Sequence, residues 1–469
     1  MPITLYNTDG RQIQPFVPIV PGEVGLYACG LTVYNFAHIG NLRQYVSVDL
    51  LRRTLEYLGY AVRHVMNITD VGHLTGDGDE GEDKMIRSSR ERGMSVWEIA
   101  EFYTKAFFAD IERLNITMPT VVCKATEHIP EMIGLIERLE KRGYTYSAGG
   151  NVYFDVRRVP DYGRLALLER QDLLAGARVD VDSNKKDPRD FVLWFTSSKF
   201  GHQAMLWDSP WGKGYPGWHI ECSAMSMKYL GEQFDIHCGG VDHIPVHHTN
   251  EIAQSEAATG KHWVNYWLHG EFLLGDGGAK MAKSEGGFVT LSSLVESGYD
   301  PLDFRYLCLG THYRSRLQFS ASAIDGARAA RRNLVERVSR LREHGQAARL
   351  DALTPRGISY REFFRQNLEA DLGIPRALAT VWNLLKEPDL SEGEKLALLF
   401  DMDRVLGLDL DHEERPRVID DESLGLIRER EAERARRNFK KADEIRDTLR
   451  KRGIVLEDSP EGTKWSITE

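Results

Sequence analysis

From residue 24 to residue 274, short apolar runs alternate with helix-like stretches, and this alternation restricts the fold more than any other feature of the chain. Strands separated by helices are not joined by tight hairpins. They line up in parallel, with helices covering both sheet faces. Residues 24–28 are the first strand of the pattern. A helix follows over about residues 41–58, with Leu42, Val46, Leu50, Leu51 and Leu55 on one face, and Gly59 stops it. Residues 61–66 are a second strand. Asn67, Thr69 and Asp70 fall at its carboxyl end, where open α/β sheets bind ligands.

Residues 72–84, GHLTGDGDEGEDK, read as a solvated loop, or in a sharper reading as a cover over the site, and residues 80–114 as two helices. Between 123 and 205 the pattern changes to one helix (128–142), short strands (152–156 and 191–195) and loops, which marks an insertion between two halves of a nucleotide-binding sheet. The second half resumes near 206, with a strand over 264–274 and a glycine-rich loop over 275–287. Beyond 292 the chain is mainly helical: a helix starts at Asp300-Pro301, and others cover 320–344, 360–370, 375–386 and 392–405. A linker with acids and Pro416 spans 409–418; two charged helices (424–452) and small strands (453–456, 463–467) follow.

The densest chemistry lies in residues 218–251, WHIECSAMSMKYLGEQFDIHCGGVDHIPVHHTNE. Cys222 heads an apolar helix pattern. Residues 234–237 form a buried strand, and Gly239-Gly240 reads as a tight turn that lets backbone approach a ligand. His247 and Glu251, four apart, share one helix face. A thiol, an imidazole and a carboxylate suit Zn²⁺ but lack a fourth partner. Cys29, at a strand end before Gly30, is the distant candidate, and Cys238 the alternative. A small buried thiol such as Cys238 more often only packs. Cys123 and Cys308 read as inert, and His243 and His248 as neighbours of the site.

Five scattered cysteines do not make a disulfide framework, and they fit a reducing compartment with free thiols. The N-terminus, MPITLYNTDGRQ, lacks the pattern of a secretory signal, and no apolar run reaches the ~18 residues of a membrane span. A cytoplasmic protein without a membrane partner is expected. A net charge of −10 argues against nucleic acid in bulk, yet phosphate contact needs only one basic face. Arg328, Arg331, Arg332, Arg337, Arg340 and Arg342 crowd one helical stretch. Residues 434–452 hold another nine lysines and arginines. Solvated helix faces are the plainer reading of both.

Residues 31–41, LTVYNFAHIGN, resemble the HIGH signature of class I aminoacyl-tRNA synthetases, and residues 280–284, KMAKS, resemble their KMSKS loop. With WHIE before Cys222 and HHTNEIAQSEA from His247, the chain is similar over nearly its whole length to the cysteine-specific family among them. The resemblance implies a Rossmann-like parallel-sheet catalytic domain (1–122 and 206–291) split by a connective insertion (123–205). It further implies a stem-contact region (292–325), a helical bundle (326–410) and a small α/β anticodon-binding domain (419–469).

It also implies activation of L-cysteine by ATP, with Mg²⁺, and transfer to tRNA(Cys) by a monomeric enzyme. One Zn²⁺ would be held by Cys29, Cys222, His247 and Glu251. Gly30 and Thr69 would hold the amino-acid backbone, and Trp218 would close the pocket beside the sulfur. His38, Asn41, Gly239, Gly240, Asp242, Lys280 and Lys283 would serve ATP and the chemistry, and Trp465 is a candidate for base stacking or for the core. Two residues depart from the signatures: Asn41 replaces a histidine, and Ala282 a serine. The alternatives are a ligase of the same architecture acting on an amino sugar, and a non-catalytic RNA-binding relative that keeps zinc for structure.

Overall fold

The computed structural model describes residues 2–72, 84–167, 182–196, 204–275, 288–411, 421–436, 438–451, 454–459 and 462–467. Two compact units divide the chain, Met1–Asp409 and Leu410–Glu469.

The first unit opens with a hairpin, β1 (Thr4–Asn7) and β2 (Gln12–Pro15), followed by β3 (Glu23–Ala28), α1 (Ile39–Tyr57) and β4 (Ala61–Ile68). Two helices, α2 (Lys84–Arg92) and α3 (Val96–Arg113), lead to β5 (Val121–Lys124) and α4 (Ile129–Lys141). Strands β6 (Thr145–Ala148), β7 (Asn151–Phe154), β8 (Phe191–Phe195) and β9 (Tyr215–Pro216) pair antiparallel in a sheet of their own. Then come α5 (Trp218–Leu230), β10 (Phe234–Gly240), α6 (His247–Thr259), β11 (Val264–Gly270) and β12 (Leu273–Leu274).

The five-stranded main sheet is parallel, in the order β11-β10-β3-β4-β5. From β3 the chain steps outward to β4 and β5, and from β10 it steps the other way to β11. Crossovers of one hand taken in opposite directions put their helices on opposite faces. Accordingly α4, α5 and α6 pack together, while α1 packs against the later helices α8 (Pro301–Leu309) and α12 (Glu392–Leu406). The order reverses between β3 and β10, so their carboxyl ends diverge and open a crevice. Their register pairs Tyr27 with His237 and Ala28 with Cys238.

The rest of the unit is helical: α7 (Leu291–Glu296), α8, a two-residue β13 (Leu317–Gln318), α9 (Ala321–His344), α10 (Pro355–Glu369), α11 (Ile374–Lys386) and α12. Asp300 caps α8 through Leu302 N–H, as the Asp-Pro pair predicts. Arg305 on α8 is fully buried. Its Nη2 meets Asp49 Oδ2 of α1 at 2.6 Å, its Nε donates to Leu406 O, and its Nη1 to Leu114 O and Asn115 O. Gly407 (φ +65°) turns the chain beside it, and a Cβ there would lie 2.5 Å from Arg305 Nη2. The second unit has α13 (Asp421–Ala435), α14 (Phe439–Lys451) and an antiparallel pair, β14 (Ile454–Ser459) and β15 (Gly462–Ile467), around Ile427, Ile445, Leu449, Ile454 and Leu456.

Three expectations change. Residues 264–274 are not one strand: after Gly270 the carbonyls of Glu271 and Phe272 turn to accept from Arg43 Nη1, at 2.7 and 2.6 Å. Gly239-Gly240 is not a turn but the end of β10, paired in register with His269 and Gly270. Finally, two strands go beyond the expected ones: residues 121–124 form β5 of the main sheet, and residues 145–148 a strand of the smaller sheet.

Candidate active site in the β3–β10 crevice

A cavity of about 540 Å³ lies in the crevice, lined among others by Cys29, Gly30, His38, Asn41, Thr69, Trp218, Cys222, Gly239, Gly240, Asp242 and His247. The structure thus brings together every first-unit residue that the resemblance assigned to the site, except Glu251, which does not line the cavity, and Lys280 and Lys283, which lie outside the described residues.

Glycine makes the crevice possible. A Cβ on Gly30 would sit 1.5 Å from the backbone oxygen of Asn67, where the ends of β3 and β4 cross closely. Gly30 N–H donates to Asn67 Oδ1 at 2.8 Å. A Cβ on Gly239 would meet the His248 ring at 2.4 Å. Gly30→Ala is expected to cost about 1–3 kcal/mol, the range of an over-packed core. Thermal melting checks this; an unchanged melting temperature would contradict it.

At the floor, one ligand atom from each of Cys29, Cys222, His247 and Glu251 falls within 4.8 Å of all the others. All four side chains are buried. Cys29 follows β3, Cys222 sits in the second turn of α5, and His247 and Glu251 lie one turn apart on α6. The Cys222 thiol is lowered, chiefly by a hydrogen bond from Cys29 and by His247, against the opposing effect of burial. Burial and the Cys222 charge push the Cys29 thiol up. Burial disfavours the His247 cation, but the Glu251 and Cys222 charges overcome it and raise its pKa. Burial also opposes the Glu251 charge, yet His247 and His237 hold the carboxylate well below its usual range.

Both Glu251 oxygens are nonetheless buried without a hydrogen bond of normal geometry, although His237 Nε2 and His247 Nε2 each lie 3.2 Å from one of them. A buried carboxylate left so beside two thiols and an imidazole fits a soft divalent cation in donor type and in charge.

Sequence reading missed His237. It is fully buried on β10, stacked on Trp267, with neither ring nitrogen hydrogen-bonded. A second group of four, Cys29, His237, His248 and Glu251, meets the same distance limit. The two-residue alternation along FDIHCGG carried the signal, because it sends His237 and Gly239 to one face and Cys238 to the other. Cys238 joins neither group among the described residues. Cys29 Sγ, His248, His269 and Thr8 Oγ1 form a continuous chain of contacts at 3.5, 2.7 and 2.8 Å. His243 is lowered to about 4 by burial and by His247.

Trp218 lies against the His247 ring, centroids 4.6 Å apart. Thr69 Oγ1 donates to the buried Glu221 and accepts from Asn67 Nδ2, each at 3.1 Å. His38 and Asn41 cap α1 reciprocally: His38 Nδ1 accepts from Asn41 N–H at 3.0 Å, and Asn41 Oδ1 accepts from His38 N–H at 3.3 Å.

Of the basic stretches, Arg331 is engaged by Asp303 and Asp300, Arg340 by Glu336, Arg436 by Glu433 and Lys441 by Glu429. The side chains of Arg437, Arg450, Arg452 and Trp465 lie outside the described residues. All five cysteines are free thiols. Among the described residues no helix is long and apolar enough to cross a membrane.

Residues 15–329 match the family model of the class I (C) tRNA synthetase catalytic domain, and residues 419–465 that of the cysteinyl-tRNA ligase anticodon binding domain. The chain is 54% identical to a cysteine–tRNA ligase of Treponema denticola over 99% of both chains. It is 50% identical to cysteine–tRNA ligase 1 of Burkholderia lata, over 99% of this chain and 97% of the other. In fold it is similar to a leucyl-tRNA synthetase from Agrobacterium radiobacter (TM-score 0.59, 11% identity, 85% of each chain). It is also similar to methionyl-tRNA synthetase of Mycobacterium tuberculosis (TM-score 0.55, 15% identity, 82% of this chain and 90% of that one). With matched models over both catalytic and anticodon-binding parts, and relatives this alike from end to end, the chain belongs to the cysteine–tRNA ligases, a family of class I aminoacyl-tRNA synthetases.

Proposed function

We propose that Cys29, Cys222, His247 and Glu251 hold one zinc ion that selects cysteine by its sulfur, beneath a crevice that activates the amino acid with ATP and Mg²⁺. The observation that carries this is the buried, incompletely partnered carboxylate of Glu251 among two thiols and an imidazole. When bound, zinc supplies a soft acceptor for the thiolate of cysteine and a poor one for the harder hydroxyl of serine.

The remaining roles belong to the chain. Thr69 gives its proton to Glu221 and takes one from Asn67, so its remaining lone pair suits the substrate ammonium. Gly30, lacking a side chain, lets the amino-acid backbone lie against the strand end, and Trp218 walls off the sulfur side. Because His38 Nδ1 accepts from Asn41 N–H, its ring proton sits on Nε2, a donor for phosphate. Asn41 commits its oxygen to the cap and keeps its NH₂ as a donor, which is how asparagine serves where the signature has histidine. Gly239, Gly240 and Asp242 receive the adenosine ribose. Lys280 and Lys283 close over the outer phosphates and stabilise charge developing as pyrophosphate leaves.

The same enzyme, a cytoplasmic monomer in this reading, takes tRNA(Cys) with residues 419–469 on the anticodon and 292–410 on the stem. The divisions 1–122, 123–205 and 206–291 complete it.

Metal-stripped and zinc-reloaded enzyme test the reading through exchange of pyrophosphate into ATP with cysteine or serine. The loaded enzyme is expected to bind one zinc per chain and to ignore serine. The stripped enzyme should fall to the preference that pocket shape alone allows, at most about 200-fold. An undiminished preference without metal would sink the proposal.

A further inference from the structure

Where α2 meets α3, Phe36, Phe102 and Tyr103 form a cluster of edge-on rings with centroids 5.1–5.9 Å apart. The Arg92 guanidinium carbon lies 5.8, 5.7 and 5.1 Å from the three centroids. Tyr103 is buried beneath, but Phe102 is 40% exposed and Arg92 is exposed. Among the described residues Arg92 has no carboxylate at ion-pair distance. Its guanidinium lies over the three ring faces. Two acids of α3 are engaged elsewhere: Glu98 caps the helix with Ser95, and Glu101 meets Lys105 and Lys124.

The cluster adjoins the catalytic cavity, since Phe36 stands between Tyr34 and His38 in sequence and both line it. Arg87, also on α2, is near enough to Tyr34 for its charge to act on the phenol. An exposed aromatic face with a cation laid over it, beside a phosphate-binding crevice, has the composition of a single-strand nucleic-acid platform: the ring takes a base and the guanidinium a phosphate or a second stacking plane.

We propose that Phe36, Phe102 and Arg92 form a stacking shelf for the unpaired 3′ end of tRNA at the mouth of the catalytic cavity. The shelf presupposes the crevice as the site of cysteine activation, and it adds residues that act only in the transfer step. They position the acceptor strand and take no part in forming the adenylate.

The test uses the full-length, zinc-loaded enzyme. Phe102→Leu keeps apolar bulk and removes the ring, Phe102→Trp keeps a ring, and Arg92→Gln removes the charge. Exchange of pyrophosphate without tRNA should be unchanged in all three. Single-turnover transfer to tRNA should fall about ten-fold in Phe102→Leu and in Arg92→Gln, as loss of one stacked base predicts, and should persist in Phe102→Trp. A 2-aminopurine placed in the unpaired 3′ end should be quenched by wild type and not by Phe102→Leu, and this readout does not depend on catalysis. Equal quenching by both, or exchange falling in step with transfer, overturns the shelf. Failure of wild-type exchange with quenching intact overturns only the assignment of the crevice.

Discussion

Cys222→Ser is expected to lose the bound metal and to lower kcat/KM for cysteine-dependent exchange about a thousand-fold, some 4 kcal/mol of transition-state stabilisation. The change removes one sulfur atom and little volume, so packing around α5 should survive. It also removes the group whose ionisation is favoured: the Cys222 thiol is lowered by Cys29 and His247, while the Cys29 thiol is pushed up. Serine cannot take over as the anionic partner, because its hydroxyl is far less acidic. Cys238→Ser is the control. Its thiol joins neither group, so metal content should stay at the wild-type value. Metal analysis, circular dichroism and exchange kinetics on both variants decide the matter. Full metal content in Cys222→Ser, or loss in Cys238→Ser alone, would refute the assignment.

The largest effect on stability is expected at Arg305→Leu. Removing one partner of a buried ion pair typically costs about 3–5 kcal/mol, because the other charge is left uncompensated. Here three carbonyl oxygens also lose a donor. The double variant Arg305→Leu/Asp49→Leu should recover part of the loss but not all of it, since the hydrogen bonds from Arg305 to those carbonyls stay lost.

The pair carries a pH dependence whose sign follows from Asp49. Burial raises its pKa, but Arg305, Arg53 and the Thr117 N–H outweigh that and hold it below its ordinary value. Its stabilisation is therefore complete above about pH 4, the unfolded value, and is lost as pH falls through the lower folded one. The Arg305 shift points the other way in energy, since burial lowers it. Its ordinary pKa is high enough that it stays charged throughout. Thermal melting between neutral pH and pH 3 should show wild type losing more stability than the double variant. Parallel losses would contradict the assignment.

Periodicity exposed the frame of the molecule because burial repeats along it. The apolar face of α1 and the runs of β3 and β10 were all legible, and so were the Asp300 cap and the helices that follow. Strand β5 was not, because four residues, VVCK, are too short for alternation to register, and it is pairing with β4 that makes them a strand. The break after Gly270 was hidden for a different reason. It depends on Arg43, whose guanidinium reaches back from α1 to the carbonyls of Glu271 and Phe272, and no local pattern records so distant a donor. Gly239 and Gly240 were rightly singled out as places of close approach, but the conformation is extended strand, and what excludes a side chain is the His248 ring and the Asp242 carboxylate.

The site divides in the same way. Cys222, His247 and Glu251 were legible as a set because they are close in sequence and two of them share a helix face. Cys29 needed the likeness of its surroundings to a known signature. His237 was passed over as a strand residue, since only tertiary packing tells a buried imidazole facing Glu251 from one that fills space.

Because β10 pairs directly with β3 across nearly half the polypeptide, a growing chain that has emerged only through β3 and β4 owns a single thiol and can capture no ion tightly. At the proposed zinc site, metal acquisition waits until translation has passed α6 and the long-range pair has formed. Retention of the proposed ion would then mark a chain in which that pair is in place, and products truncated before α6 would fail to keep it through dialysis.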